Sequence, residues 1–306
     1  MGVSVASLTG TIVVAVALVL PIVINVFSEV PFEPADQHVC NRPLPDEPGT
    51  GAVNTSYGRT FYRLFGDTSA REMVVLVGGI ATPSVYAIDY AKRISKNGFL
   101  VLTYDLYGRG YSNVARTAND ERLFVSQIVD LLFALKLDGK RVHFVGASMG
   151  GVICATFADI YPERVASLTL VAPAGFPSDL PLPVRFAMLP YVGEFILPFF
   201  APAFMERNLD KQSDGQQNCE LVEYQKKVLR AEIAACEGYL ESILSTFRSF
   251  NLFSMEPIYR RVATHSRPVH IIWGDLDSTC PFEQSKTLRS IMPHSEFTVV
   301  EGGAHT

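Results

Sequence analysis

From about residue 60 onward, short apolar runs alternate with longer segments in which apolar residues recur at helical spacing. Met73–Val77 and Leu100–Tyr104 are short and almost wholly apolar, as buried strands are. The clearest helical pattern has apolar residues at steps of three and four, at Leu123, Phe124, Ile128, Leu131, Leu132 and Leu135. Strands that alternate with helices predict an α/β fold, with a mainly parallel sheet covered by helices on both faces.

The alternation continues to the end of the chain with one interruption. Between Phe176 and Arg267 no strand pattern occurs, and the apolar spacing is helical. The sequence therefore predicts a core made of residues 57–175 and 268–306, interrupted by an inserted helical cap at residues 176–267. Further strands are predicted at Thr60–Phe65, Val142–Val145, Leu168–Val171, Val269–Trp273 and Phe297–Val300, and further helices at Ala87–Asn97 and Phe282–Ile291.

The N-terminal region predicts a membrane anchor. Thr11–Phe27 contains no charged residue, and a helix of about 20 apolar residues spans a bilayer. A cleaved signal peptide is the alternative, but no Lys or Arg precedes the apolar run and no A-x-A cleavage site follows it. A buried helix is a third reading. We expect a single-pass membrane protein anchored through residues 1–28, with the side of the membrane left open.

A proline-rich segment follows the anchor. Residues 29–56 are predicted to form a stiff linker without regular structure, because of Pro31, Pro34, Pro43, Pro45 and Pro48.

Charge and cysteine content exclude several classes of function. The net charge is −5 without a basic run, so no nucleic-acid partner is expected. The five cysteines show no C-x-x-C spacing, which indicates neither a zinc site nor a disulfide scaffold. No metal or organic cofactor is expected.

Gly146-Ala147-Ser148-Met149-Gly150 is the strongest chemical signal in the chain. A β-prone run precedes this G-x-S-x-G motif and a helical segment follows it. A serine between a strand and a helix sits on a sharp turn, which needs small residues on both sides and exposes the hydroxyl. Ser148 is therefore the predicted nucleophile.

A serine nucleophile needs a base and a group that orients the base, and after such an elbow the chain order is serine, acid, histidine. We predict His305 as the base, because it follows an apolar strand on a glycine-containing loop. The loop after the preceding strand offers two carboxylates, of which Asp277 is the predicted acid and Asp275 its structural partner. Asp179 is a weaker candidate.

Backbone N–H groups must stabilise the negatively charged oxygen of the tetrahedral intermediate. We predict one donor at Met149, directly after the nucleophile. The second is expected from the loop after the Met73–Val77 strand, residues 78–82, with Ile80 as first choice and Ala81 in reserve.

Together these motifs resemble the α/β-hydrolase superfamily over about residues 58–306. The resemblance is carried by Gly78-Gly79, the segment Asp105–Ser112, the elbow, Trp273–Asp277 and Gly303-Ala304-His305. It implies that Asp105–Ser112 is a structural turn rather than part of the chemistry. With its anchor and apolar cap, the chain is similar to the membrane-bound monoacylglycerol lipase-like hydrolases.

Two features depart from that family pattern. The family usually has His-Gly where this chain has Gly78-Gly79, although a backbone donor survives the change. Relatives also continue into a further helix that supports the histidine loop, so we expect either a truncated chain or an unusually mobile His305.

The leading hypothesis is a membrane-anchored serine hydrolase that cleaves a lipid ester such as monoacylglycerol through an acyl-enzyme. The aromatic stretch Phe186–Phe204 would form an apolar mouth or touch the bilayer, unless it is ordinary cap core. The alternatives are hydrolysis of another ester or amide, as in an esterase or aminopeptidase, and an inactive binding protein on the same fold. Epoxide hydrolases and dehalogenases of this type need a carboxylate at the elbow, which Ser148 is not.

Overall fold

The computed structural model describes residues 43–212 and 219–305. Its eight strands are β1 (Thr50–Thr55), β2 (Gly58–Phe65), β3 (Met73–Val77), β4 (Leu100–Tyr104), β5 (Val142–Ala147), β6 (Val165–Val171), β7 (Val269–Gly274) and β8 (Glu296–Val300). The α-helices of the described residues are α1 (Ile88–Ser95), α2 (Glu121–Ala134), α3 (Met149–Ile160), α4 (Leu182–Ala187), α5 (Val192–Gln212), α6 (Cys219–Ala235), α7 (Tyr239–Ser249), α8 (Glu256–Val262) and α9 (Glu283–Ile291).

The strands form one sheet in the order β1-β2-β4-β3-β5-β6-β7-β8. β1 and β2 form an antiparallel hairpin, and β2 also runs antiparallel to β4. The remaining pairings are parallel. The predicted mainly parallel sheet is therefore confirmed.

β3 shows why the central strands are apolar along their whole length. All five of its residues are buried. Met73, Val75 and Val77 join the main core cluster on one face, whereas Val74 and Leu76 pack with Ala91 of α1 on the other. Since successive side chains of a strand point to opposite faces, a sheet covered on both sides needs an unbroken apolar run.

The cap is shorter than the sequence predicts. Helices α4 to α7 form it, but α8 lies within the predicted range 176–267 and belongs to the core. Tyr259 and Val262 of α8 are fully buried in the main core cluster, and the Tyr259 hydroxyl donates to the carbonyl of Ala174 at 2.6 Å. The predicted cap boundary at residue 267 is therefore wrong. A helix pattern in the sequence does not by itself distinguish a core helix from a cap helix.

The predicted linker also needs correction at its C-terminal end. β1 occupies Thr50–Thr55 and pairs along its length with β2, so regular structure begins inside residues 29–56. The last proline of the linker, Pro48, lies just before β1 and leaves the ladder intact. Residues 29–42 of the linker and the predicted anchor, residues 1–28, lie outside the described residues.

Within residues 43–212 and 219–305, no helix combines the length and apolarity needed to cross a membrane. Cys154 and Cys280 are free and buried, whereas Cys236 is disulfide-bonded, which the cysteine spacing did not indicate.

Candidate active site

Ser148 occupies a strained turn between β5 and α3. Its backbone has φ +53° and ψ −121°, a conformation that residues with a side chain rarely adopt. The Ser148 N–H donates to the carbonyl of Val171 at 3.0 Å, and its own carbonyl accepts from Gly151 and Ala174 at 3.0 Å each. These three bonds hold the strained residue at the carboxyl edge of the sheet.

The two glycines of the G-x-S-x-G motif are required by backbone contacts. A Cβ on Gly146 would lie 2.4 Å from the carbonyl oxygen of Gly150. A Cβ on Gly150 would lie 2.2 Å from the carbonyl oxygen of Val77. Because both obstacles are backbone atoms, neither side chain could be accommodated by a rotamer change.

Asp277 and His305 form a buried pair. Nδ1 of His305 donates to Oδ2 of Asp277 at 2.7 Å, and the two side chains are 7% and 0% exposed. The other oxygen of Asp277, Oδ1, accepts from the N–H groups of Thr279 and Cys280 at 2.9 and 2.8 Å. Since the carboxylate only accepts, the His305 proton stays on Nδ1 and Nε2 is free to accept a proton.

The alternative acids lie elsewhere. Asp275 is exposed to solvent. Asp179 is also exposed and pairs with Arg185 at 3.4 Å. Of the three carboxylates considered, only Asp277 contacts His305 in the structure.

The His305 loop is held by the end of β7. The N–H of Leu276 donates to the carbonyl of Gly303 at 2.9 Å, and the N–H of Gly303 donates to the carbonyl of Val300 at 3.0 Å. A Cβ on Gly274 would lie 2.3 Å from the oxygen of Gly303, so the two loops are in close contact. His305 is thus buried, and its loop is held by hydrogen bonds to the loop that carries Asp277.

Cys280 lies close to both the acid and the nucleophile, a position that sequence reasoning missed. Its N–H donates to Oδ1 of Asp277, and its side chain lies near Ser148. Burial, together with the charge of Asp277, raises the pKa of the Cys280 thiol to about 12, while the neighbouring Ser148 opposes this shift. Cys280 is therefore a neutral thiol beside Ser148. The only sequence signal was its place three residues after Asp277.

Residues 78–82, here called the oxyanion loop, flank Ser148. A Cβ on Gly79 would lie 3.3 Å from Cβ of Ser148 and 3.7 Å from its Oγ. Ile80 and Ala81 follow directly. Met149 is the first residue of α3 and fully buried, so its N–H has no acceptor within the helix and lies beside the nucleophile. The predicted donors thus come from the two segments next to Ser148.

Some large apolar side chains of the cap are exposed to solvent, whereas others are packed inside the cap. Phe195 and Phe199 are 73% and 80% exposed, and their rings contact each other at a centroid distance of 6.2 Å. Phe200 and Phe204 of the same helix are partly buried. The large exposed apolar residues of α4, α5 and the turn between them, here called the cap surface, are Leu182, Phe186, Leu189, Tyr191, Val192, Phe195 and Phe199.

Within the described residues, no cluster of three or more His, Cys, Asp or Glu side chains could hold a metal ion. The chemistry that the site can supply is nucleophilic and acid–base, from a serine, a histidine and a carboxylate.

Comparison with known proteins identifies the fold of this chain. A family model described as "alpha/beta hydrolase fold" matches residues 72–306. Mouse monoacylglycerol lipase ABHD6 is 24% identical over 256 residues, covering 80% of this chain and 73% of the lipase. An uncharacterized protein of Mycobacterium tuberculosis is 26% identical over 276 residues, covering 86% of this chain and 78% of its own.

Solved structures show the same fold. An esterase from Thermogutta terrifontis superposes with a TM-score of 0.68 at 20% identity, covering 84% of this chain and 91% of the esterase. A membrane phospholipase A superposes with a TM-score of 0.65 at 18% identity, covering 98% of this chain and 90% of the phospholipase. With the family match over most of the chain, this protein is a member of the alpha/beta hydrolase fold family.

Proposed function

We propose that this protein is a serine hydrolase that cleaves a carboxylic ester. The observation that carries the proposal is the buried hydrogen bond between His305 Nδ1 and Asp277 Oδ2, with Cys280 close to both Asp277 and the strained Ser148. An inactive binding protein would have no need of a buried, hydrogen-bonded Asp–His pair and a strained serine.

In the proposed reaction, Ser148 Oγ attacks the ester carbonyl while Nε2 of His305 takes the hydroxyl proton. Asp277 holds the imidazole and stabilises its positive charge. The N–H groups of Met149 and Ile80 bind the oxygen of the tetrahedral intermediate. His305 then gives the proton to the departing alcohol, and water hydrolyses the acyl-enzyme by the same steps.

The proposed substrate is a lipid ester, with monoacylglycerol as the representative. The cap surface presents seven large exposed apolar residues within residues 182–199, and exposed apolar surface of this kind often marks a binding site. Mouse ABHD6 is named a monoacylglycerol lipase, and one structural neighbour is a membrane phospholipase A. The predicted anchor at residues 1–28 would hold the enzyme at the membrane where such a substrate resides.

Labelling with a fluorophosphonate tests the chemistry. We expect the probe to label the wild-type chain, and Ser148→Ala to abolish both the labelling and ester hydrolysis. Equal labelling of the two proteins would contradict the assignment of Ser148.

A comparison of substrates tests the lipid assignment. We expect a higher kcat/KM for a long-chain monoacylglycerol than for a short soluble ester of glycerol. An equal or greater kcat/KM for the short ester would contradict a lipid substrate while leaving the esterase assignment intact.

A further inference from the structure

Arg109 is a buried cation that joins three separate parts of the molecule. It is 1% exposed. Its Nε donates to the carbonyl of Ile80 at 2.8 Å, in the oxyanion loop. Nη1 donates to the carbonyl of Tyr107 at 2.7 Å and to Oγ of Ser242 at 2.9 Å, and Nη2 donates to Oγ1 of Thr246 at 2.8 Å. Ser242 and Thr246 belong to α7 of the cap.

This arrangement places a charge where burial disfavours it. Burial lowers the pKa of Arg109 to about 10, which still leaves the guanidinium charged at neutral pH. Its four hydrogen bonds offset the loss of hydration, because a planar guanidinium can address several fixed acceptors at once. A lysine at the same position has one nitrogen and could not span the three segments.

The surrounding loop is shaped for close contact with α7. Gly108 has φ +73°, and a Cβ on it would lie 2.1 Å from Oγ of Ser242. Asn119 also donates to Oγ of Ser242, at 2.8 Å. Glu232 of the neighbouring cap helix α6 accepts from the N–H of Gly110 at 2.6 Å. The Asp105–Ser112 segment is therefore a junction between core and cap, and not only a turn.

The contact with Ile80 matters because of where that carbonyl lies. A peptide unit is planar, so holding the Ile80 carbonyl fixes the plane of the Ile80–Ala81 peptide and with it the direction of the Ala81 N–H. It also restrains the backbone next to the Ile80 N–H. Both candidate oxyanion donors in the loop therefore depend on the position of Arg109.

We propose that Arg109 is a positioning residue that aligns the oxyanion loop and couples its geometry to the cap helix α7. A displacement of α7, as when the cap meets its substrate, would move Ser242 and Thr246 and be passed through the guanidinium to Ile80. The inference rests on the proposed function, because it assumes that the loop stabilises an oxyanion at Ser148.

The test compares full-length Arg109→Lys and Thr246→Val with wild type. For Arg109→Lys we expect kcat to fall about 10- to 100-fold with KM within about 3-fold, since an oxyanion donor acts mainly in the transition state. Affinity for a trifluoromethyl ketone, which forms a tetrahedral adduct with the serine, should fall by the same factor. Affinity for an analogue in which an ether replaces the ketone, and which therefore forms no adduct with the serine, should stay unchanged.

Thr246→Val removes one of the two hydrogen bonds from Arg109 to α7 and keeps the Ile80 contact, so a smaller fall in kcat is expected. In Arg109→Lys the Thr246→Val change should add nothing, since both act through one connection.

Val142→Ala is the structural control. Val142 is fully buried and begins β5, whereas Ser148 follows the other end of that strand. The change should lower thermal stability while kcat stays within about 2-fold.

If the wild type hydrolyses esters, each of three results would overturn this inference and leave the proposed function intact. They are a change in KM without a change in kcat, a loss of kcat without weaker ketone binding, and an equal loss of kcat in Val142→Ala. Should Arg109→Lys fail to fold, Thr246→Val decides by the same kcat and ketone readouts. A wild-type protein that hydrolyses no ester would overturn the proposed function, and the inference with it.

Discussion

The two carboxylate oxygens of Asp277 accept hydrogen bonds from different partners. The effect of replacing the carboxylate by an amide can therefore be predicted. In Asp277→Asn, the amide oxygen must face the N–H groups of Thr279 and Cys280, so its NH₂ faces Nδ1 of His305. His305 would then accept at Nδ1 and carry its proton on Nε2, where it cannot take the proton of Ser148. We expect kcat to fall about 10³- to 10⁴-fold with little change in Tm. Steady-state kinetics and thermal unfolding measure the two quantities.

Asp275→Asn is the matched control, two residues away in the same loop and exposed. It should leave kcat within about 2-fold. If the two variants lost activity equally, or if Asp275→Asn lost more, the assignment of Asp277 as the acid would be wrong.

At the residue scale, sequence could predict what local motifs encode. Ser148 has glycines at fixed offsets and His305 follows a strand on a short loop, so each could be named from its neighbours. Arg109 could not be, because three of its four hydrogen-bond partners lie 29, 133 and 137 residues away. Nothing in a short window indicates which helix of an inserted cap will return to a given loop.

At the scale of elements, the strand–turn–helix unit of β5 and α3 depends on the close contact of backbones. We expect Gly146→Ala and Gly150→Ala each to lower the free energy of unfolding by about 1–3 kcal/mol, or to prevent folding, because the added methyl meets a carbonyl oxygen that cannot move aside. Chemical denaturation followed by fluorescence measures the loss. Gly139→Ala is the control, since a Cβ there has no atom within 4 Å. Equal stability of all three variants would contradict the packing argument.

The elements themselves were predicted well where burial is two-sided and less well elsewhere. β3 and β4 are apolar runs whose residues are all buried, and the sequence places both strands at their observed bounds. β1 was missed because it is an edge strand of mixed polarity directly after prolines. α8 was assigned to the cap because its return to the core is a tertiary contact with no periodic signature.

At the scale of the whole molecule, the sheet and the cap carry different features of the candidate site. The sheet edge holds the buried Asp277–His305 pair and Ser148, while the cap carries both the exposed apolar surface and the attachment to Arg109. In a lipid hydrolase this division places contact with the substrate phase on the cap and the chemistry in the core. The residues that touch lipid and the residues that react with it should therefore be separable by mutation.

The cap surface provides that test in the full chain. Phe195→Ser combined with Phe199→Ser should raise KM for a long-chain monoacylglycerol in mixed micelles about 10-fold, because burying part of two exposed phenylalanines in the lipid phase contributes more than about 1.4 kcal/mol. kcat, and kcat/KM for a short soluble ester, should stay within about 2-fold, since Ser148 is untouched. Tyr90→Ser combined with Phe133→Ser is the matched control, because these residues of α1 and α2 are 68% and 72% exposed on the core. If both double variants raised KM alike, or neither did, the cap surface would not be where this enzyme meets its lipid.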